Sequence, residues 1–234
     1  MKIIAFAFAG GSKYSYPKFS KNIPHFIVME YPGRGASINE KLITNIDQLI
    51  GNLLPKVIKE IKSGEEYVIY GHSMGALIGY LICHKLQALD MQQPIKLIVS
   101  GKKSPSIKRE KILSHLPNNE FWEEVIKIGG IPDELKNYSD LIDFYAPILK
   151  VDFETIENYN YVERTKLNIP IDVYYGTEEE IAEKEIMEWK NESTEEVTIT
   201  ALEGNHFFIF NNVDFFTNYF NNLTKNLIYK QTNA

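Results

Sequence analysis

The residues Gly71-His72-Ser73-Met74-Gly75 have the spacing of a turn that presents a nucleophilic serine. Residues 67–70 before the turn predict a buried strand, and residues 76–82 after it predict a helix. A sharp turn from strand to helix crowds the backbone, so glycines two residues before and two after the serine relieve clashes and lift its hydroxyl above the sheet. The pattern predicts that Ser73 attacks a carbonyl group; an incidental serine in a tight turn is the alternative.

A serine hydroxyl needs a base within hydrogen-bond distance, and a carboxylate must orient that base. Hydrolases with this turn carry the serine, the acid and the histidine in that chain order. Beyond the helix that follows Ser73, the histidines are His115 and His206. We predict His206 as the base because it follows the last predicted strand, whereas His115 lies in a helical pattern and is expected to pack or face solvent. His72 is expected to point away from the site.

The acid is expected directly after the predicted strand 171–175, where the chain reads Gly176-Thr177-Glu178-Glu179-Glu180. Asp172 lies inside that strand, too early to reach its end. Glu179 is our first choice and Glu178 the second, with a solvated acidic turn as the alternative for either residue.

Attack on a carbonyl also requires two backbone N–H donors for the oxyanion that forms. Met74, which follows the serine, supplies the first. Ala9, in the small-residue segment Ala9-Gly10-Gly11 after the first predicted strand, supplies the second. An ordinary glycine turn is the alternative interpretation of that segment.

The elements that must position these groups alternate along the chain. This order predicts an α/β fold with a mostly parallel central sheet and helices on both faces. Strands are predicted at residues 2–8, 26–30, 67–70, 96–100, 171–175 and 197–202. Apolar residues at helical spacing predict a helix that Pro55 bends; they are Ile43, Ile46, Ile50, Leu53 and Val57.

Strand signals disappear between residues 104 and 164, and several short helices are expected there. We interpret this segment as a helical lid inserted into a single structural domain, whose core comprises residues 1–103 and 165–234. Its large apolar side chains either line a substrate cavity or pack the lid on the core; they are Phe121, Trp122, Leu141, Phe144 and Tyr145.

The composition is that of a folded protein, since 44% of the 234 residues are hydrophobic and 24% are charged. The net charge of −6 disfavours nucleic acid and anionic membranes as partners. Residues 1–9 favour a buried strand over a signal peptide, and no stretch approaches the length of a membrane span. The single cysteine, Cys83, fits a cytoplasmic protein.

A local cluster of basic residues could steer an acidic partner, although a solvated loop is the favoured interpretation of this segment. The cluster contains Lys102, Lys103, Lys108, Arg109 and Lys111.

Further motifs accompany the serine turn in a specific order along nearly the whole chain. They are Phe8-Ala9-Gly10-Gly11, Tyr31-Pro32-Gly33-Arg34-Gly35, Ser100-Gly101, Gly129-Gly130-Ile131-Pro132, Tyr145-Ala146-Pro147-Ile148-Leu149-Lys150-Val151-Asp152-Phe153 and Gly204-Asn205-His206-Phe207. In this the chain resembles the type II, or external, thioesterases of nonribosomal peptide and polyketide synthesis, which are α/β-hydrolases. It departs from their usual pattern at Glu179, where aspartate is usual, at Ala7, where proline is usual, and near Ser37, where a second arginine is frequent.

The resemblance implies hydrolysis of stalled or wrong acyl groups from the phosphopantetheine arm of acyl or peptidyl carrier proteins. It carries over Ser73 as nucleophile, His206 as base, and the amides of Met74 and Ala9 as the oxyanion hole. It implies no metal and no dissociable cofactor, because the partner presents the phosphopantetheine, and we expect a monomer. A small-molecule carboxylesterase or lipase on the same fold and a non-catalytic carrier-binding module remain as alternatives.

Overall fold

A parallel sheet of six strands in the order β2-β1-β3-β4-β5-β6 forms the centre of the molecule. The computed structural model describes residues 1–61, 64–108, 111–129 and 139–232. The strands are β1 (Lys2–Phe6), β2 (Phe26–Val28), β3 (Tyr67–His72), β4 (Leu97–Ser100), β5 (Ile171–Gly176) and β6 (Val197–Leu202). The predicted α/β class and parallel sheet are confirmed, and every predicted strand is found within two residues of its expected ends.

Helices connect these strands and cover both faces of the sheet. They are α1 (Pro17–Asn22), α2 (Ile46–Glu60), α3 (Met74–Ala88), α4 (Asn118–Ile128), α5 (Ser139–Glu157), α6 (Glu183–Met187), α7 (Phe208–Asn211) and α8 (Val213–Thr232). The apolar face predicted from the sequence lies on α2, which buries Ile46, Ile50, Leu53 and Val57 and continues through Pro55. Ile43, predicted as part of this helix, lies before its first residue. No helix in these described ranges is long and apolar enough to cross a membrane.

Successive side chains of β3 point to opposite layers, as a strand requires. Ile69 faces α3, since a β-carbon at Gly79 of that helix would lie 2.9 Å from its Cγ2. Tyr70 faces α8, where its ring centroid lies 5.3 Å from that of Phe220. The strand that carries the serine turn is therefore buried on both sides, which gives the site a rigid base.

The segment between β4 and β5 contains α4 and α5. Several short helices were expected there, but α5 has 19 residues and continues through Pro147. Its second half packs against α4, where the rings of Phe121 and Phe153 meet edge to face with their centroids 5.5 Å apart. The motif residues 130–132 lie outside the described residues. The division of the chain at residues 104 and 164 stays a prediction.

Candidate active site

Ser73 occupies the turn between β3 and α3 in a backbone conformation that is rare for a residue with a side chain, with φ +56° and ψ −114°. Such a conformation costs on the order of 1–3 kcal/mol. The neighbouring backbone is crowded, since a β-carbon at Gly71 would lie 2.0 Å from the carbonyl oxygen of Gly75. A β-carbon at Gly75 would lie 2.1 Å from the carbonyl oxygen of Phe6, at the end of β1. Both glycines are therefore needed for the turn.

The imidazole of His206 joins Ser73 to Glu179. Its Nε2 lies 3.0 Å from Ser73 Oγ, and its Nδ1 lies 2.7 Å from Glu179 Oε2. With its proton on Nδ1, the ring donates a hydrogen bond to the carboxylate and accepts one from the serine hydroxyl. The side chains of His206 and Glu179 are 19% and 2% exposed, so the serine end of the chain of hydrogen bonds faces solvent.

Glu179 is the glutamate of this loop that the structure brings to the histidine. Its Oε1 also accepts the amide of Gly176, at 2.7 Å, which fixes the carboxylate at the end of β5. Glu178 and Glu180 are exposed. Asp172 lies within β5 and accepts hydrogen bonds from Lys96 and Thr198, so it belongs to a different network.

His72 lies against His206, a contact that the sequence analysis missed because it placed His72 away from the site. Its ring is buried, and the two ring centroids are 5.0 Å apart. His72 Nδ1 lies 2.9 Å from Ser100 Oγ, which in turn lies 3.1 Å from the hydroxyl of Tyr70. Burial, followed by the charge of His206, holds the pKa of His72 well below its usual value, so this ring is neutral.

The two predicted oxyanion donors lie at the ends of neighbouring elements. Met74 is the first residue of α3, where a backbone N–H has no acceptor within the helix. Ala9 lies three residues beyond β1. Within the described chain, neither amide donates a hydrogen bond to another protein group. Met74 adjoins the serine, and a β-carbon at Gly75 would lie 2.7 Å from the carbonyl oxygen of Ala7, two residues before Ala9. The role of the two amides as oxyanion donors stays a prediction.

A buried ion pair between Arg34 and Asp152 adjoins the Ala9 loop. Both residues lie in the motifs that the chain shares with the thioesterases it resembles, although no role is predicted for either from the sequence. Arginine in a glycine turn and aspartate within the apolar run of α5 are the signals that could have marked them. The amide of Gly10 donates to Asp152 Oδ2 at 2.7 Å, which ties the loop to this pair.

The candidate lid residues have different environments. Phe121 is fully buried and Trp122 is half-buried, whereas Phe144 and Tyr145 are 55% and 42% exposed. Leu141 lies on α5, and its side chain is outside the described part of the structure. Which of these side chains contacts an acyl group stays a prediction.

The predicted basic cluster is partly neutralised by acidic neighbours. Lys103 pairs with Glu185 at 3.1 Å, and Lys111 pairs with Glu124. Lys108 is exposed, and Arg109 lies outside the described residues. Over the residues that the structure describes, no group of three or more His, Cys, Asp or Glu side chains could hold a metal ion.

Comparison with known proteins gives consistent matches over most of the chain. The family model described as Thioesterase domain matches residues 1–225. The probable anguibactin biosynthesis thioesterase AngT of Vibrio anguillarum is 32% identical over 193 residues, which cover 78% of this chain and 74% of AngT. The gramicidin S biosynthesis protein GrsT of Aneurinibacillus migulanus is 24% identical over 215 residues, covering 90% of this chain and 83% of GrsT. The crystal structure of ClbQ from the colibactin NRPS/PKS pathway superposes with a TM-score of 0.89 at 25% identity, covering 97% and 98% of the two chains.

Proposed function

Because the chain belongs to the thioesterase family, whose domain model matches residues 1–225, we propose that it hydrolyses acyl thioesters on carrier proteins of nonribosomal peptide or polyketide synthesis. The observation that carries the proposal is the hydrogen-bonded series Ser73, His206 and Glu179 at a strained turn. The relatives support the choice of substrate, since AngT is a probable anguibactin biosynthesis thioesterase, GrsT is a gramicidin S biosynthesis protein, and ClbQ comes from an NRPS/PKS pathway.

The first half of the reaction transfers the acyl group to the enzyme. His206 Nε2 takes the proton of Ser73 while Oγ attacks the thioester carbonyl carbon. The carbonyl oxygen becomes an oxyanion held by the amides of Met74 and Ala9. Glu179 stabilises the imidazolium that forms. The C–S bond then breaks, and His206 returns its proton to the leaving thiolate, which frees the phosphopantetheine thiol.

Water completes the cycle by the same route. His206 takes a proton from a water molecule, whose oxygen attacks the acyl-serine ester. The C–O bond to Ser73 breaks, the serine regains its proton from His206, and a carboxylic acid leaves. In this scheme the phosphopantetheine remains covalently attached to the carrier protein, and the enzyme itself uses no cofactor.

The biological role we propose is removal of stalled or wrongly loaded acyl groups, which restores the free thiol of the carrier. We further propose a monomer that works in the cytoplasm. The single cysteine, Cys83, is buried, and burial raises the pKa of its thiol. Cys83 is therefore a poor candidate for an alternative nucleophile.

The decisive experiment is intact-mass analysis of a panel of acylated carrier proteins before and after exposure to the enzyme. We expect loss of the acyl mass with the wild type and a fall in rate of roughly 10³-fold or more with Ser73→Ala or His206→Ala, because nucleophile and base act as one unit. Ser20→Ala, an exposed serine on α1, is the matched control and should keep full activity.

The same experiment separates the proposal from its rivals. Simple oxygen esters cleaved faster than every acyl-carrier thioester would indicate a small-molecule esterase. A folded protein that binds carriers, leaves their acyl groups intact and does not react with a fluorophosphonate would indicate a non-catalytic carrier-binding protein. Near wild-type turnover by Ser73→Ala would exclude the proposed mechanism.

A further inference from the structure

The ion pair between Arg34 and Asp152 is among the most buried charged contacts of the described chain. The two side chains are 6% and 2% exposed. Arg34 Nη2 donates to Asp152 Oδ1 at 2.6 Å, and Nη1 donates to Oδ2. Removing two charges from water offsets most of their attraction, so a buried pair of this kind is weak evidence for stability alone. The other contacts of Arg34 and Asp152 indicate the role of the pair.

Both members of the pair contact the loop that follows β1. Asp152 Oδ2 accepts the amide of Gly10 at 2.7 Å, and Arg34 Nη1 donates to the carbonyl oxygen of Gly11 at 3.4 Å. Gly10 has φ +76°, and a β-carbon there would lie 2.7 Å from Leu149 Cδ2. Since Leu149 and Asp152 are one turn apart on α5, this helix holds Gly10 through a hydrogen bond and through direct packing.

The loop is also held on the other side of Ala9. The hydroxyl of Tyr31 donates to the carbonyl oxygen of Ala7 at 2.8 Å. The guanidinium of Arg34 lies over the Tyr31 ring, 5.2 Å from its centroid. Ala9 therefore lies between two fixed peptide groups, and both fixing contacts lead back to Arg34.

We propose that Arg34 and Asp152 are positioning residues that hold the Ala9 amide in the direction that binds the oxyanion, and so connect the lid helix α5 to the transition state. The inference rests on the proposed function, in which Ala9 is an oxyanion donor. The Phe8 carbonyl, which shares a peptide plane with the Ala9 amide, accepts a hydrogen bond from the Gly11 amide at 2.9 Å. Contacts that fix the peptide groups of Gly10 and Gly11 therefore limit the directions that the Ala9 amide can take. A preorganised donor contributes to the transition state far more than to substrate binding.

The test uses two variants and a control on the same helix. Asp152→Asn removes the charge, and the double variant Arg34→Met/Asp152→Leu removes the whole pair while filling its volume with apolar groups, which favours retention of the fold. Glu154→Gln, two residues further along α5, is the control, because Glu154 makes no hydrogen bond to residues 7–13 in the described chain.

Three quantities are measured on each folded variant: kcat and KM for an acyl-carrier thioester, and the inhibition constant of a trifluoromethyl ketone. Ser73 Oγ adds to that ketone carbonyl, its proton passes to His206, and the resulting alkoxide occupies the oxyanion hole. We expect kcat to fall roughly 10- to 100-fold, ketone affinity to fall by a similar factor, and KM to change less than about threefold. Glu154→Gln should match the wild type in all three.

The outcomes distinguish the inference from the proposed function. A folded double variant with wild-type kcat and wild-type ketone affinity would overturn the inference, as would a loss confined to KM. A wild type that cleaves no carrier thioester would instead overturn the proposed function. In that case the ketone affinities of the variants still decide whether the pair positions the oxyanion loop.

Discussion

The two oxygens of Glu179 make different hydrogen bonds, and this arrangement fits the predicted role of Glu179 as the acid at a position where the resemblance implies aspartate. Oε2 accepts a hydrogen bond from His206 Nδ1, and Oε1 accepts one from the backbone amide of Gly176. The extra methylene of glutamate is accommodated because the residue lies three positions beyond the end of β5, in a turn closed by its own amide bonding to the Gly176 carbonyl. The position of the acid in the loop could be predicted from chain order, whereas this second hydrogen bond could not.

Glu179→Gln should keep the fold and lower kcat strongly. If the glutamine carbonyl accepts the Gly176 amide, its NH₂ group faces His206 Nδ1 and favours the tautomer with the proton on Nε2, which cannot accept the serine proton. The serine-protease precedent for a neutralised triad acid is roughly 10⁴-fold in kcat. Steady-state kinetics on an acyl-carrier thioester checks the loss. Glu178→Gln and Glu180→Gln, both at exposed positions, serve as controls; full activity of Glu179→Gln would contradict the assignment.

At the scale of the elements, hydrophobic patterning located the strands because runs such as Ile3 to Phe6 are buried on both faces of a parallel sheet. The expected end of β1 was two residues late, since the strand ends at Phe6 and residues 7–9 lie outside the sheet. The apolar residues between positions 104 and 164 predict several short helices, whereas α5 is one helix of 19 residues that continues through Pro147. The packing of α5 against α4 and against the Gly10 loop is a long-range contact, which a local sequence pattern does not reveal.

Of the candidate lid side chains, some are buried and others are accessible, so the predicted role in acyl selectivity applies to the accessible ones. Phe121→Ala should lower the melting temperature, because truncating a fully buried phenylalanine costs about 3–5 kcal/mol. The double variant Phe144→Ala/Tyr145→Ala should leave stability nearly unchanged. We expect it to alter the ranking of short against long acyl carriers, since these exposed rings offer apolar surface to an acyl chain. Competition between a short and a long acyl carrier, measured by mass spectrometry, checks this prediction. An unchanged ranking would show that neither ring contacts the acyl chain.

At the scale of the whole molecule, the serine turn and chain order predicted the contact between Ser73 and His206, whereas no sequence pattern predicted the ion pair between Arg34 and Asp152. Ser73 and His206 are 133 residues apart and were identified from strand, turn and chain order. Arg34 and Asp152 are 118 residues apart, and although each is unusual in its local sequence, no pattern there pairs one with the other. The charge pattern likewise did not predict ion pairing, because Lys103 and Lys111 lie in a basic run of the sequence but have acidic partners in the folded chain.

Two buried histidines should make the stability of the folded protein depend on pH. Burial, followed by the charge of Arg164, lowers the pKa of His84 to about 4. The pKa of His72 is likewise held well below its usual value, first by burial. Since both groups have a lower pKa when folded than the 6.5 of an unfolded histidine, the unfolded chain binds more protons below that pH. The free energy of unfolding should therefore decrease as the pH falls from about 6.5 towards 4.

His84→Gln should reduce this pH dependence, because it removes one of the two titrating groups while keeping a polar side chain of similar size. The change in slope is at most that of one proton, about 1.4 kcal/mol per pH unit. Urea denaturation of the wild type and the variant at pH 7, 6 and 5 measures it. His115→Gln is the matched control, since His115 is exposed and its replacement should leave the slope unchanged. Parallel pH curves for the wild type and His84→Gln would show that burial of His84 does not contribute to the acid sensitivity of the fold.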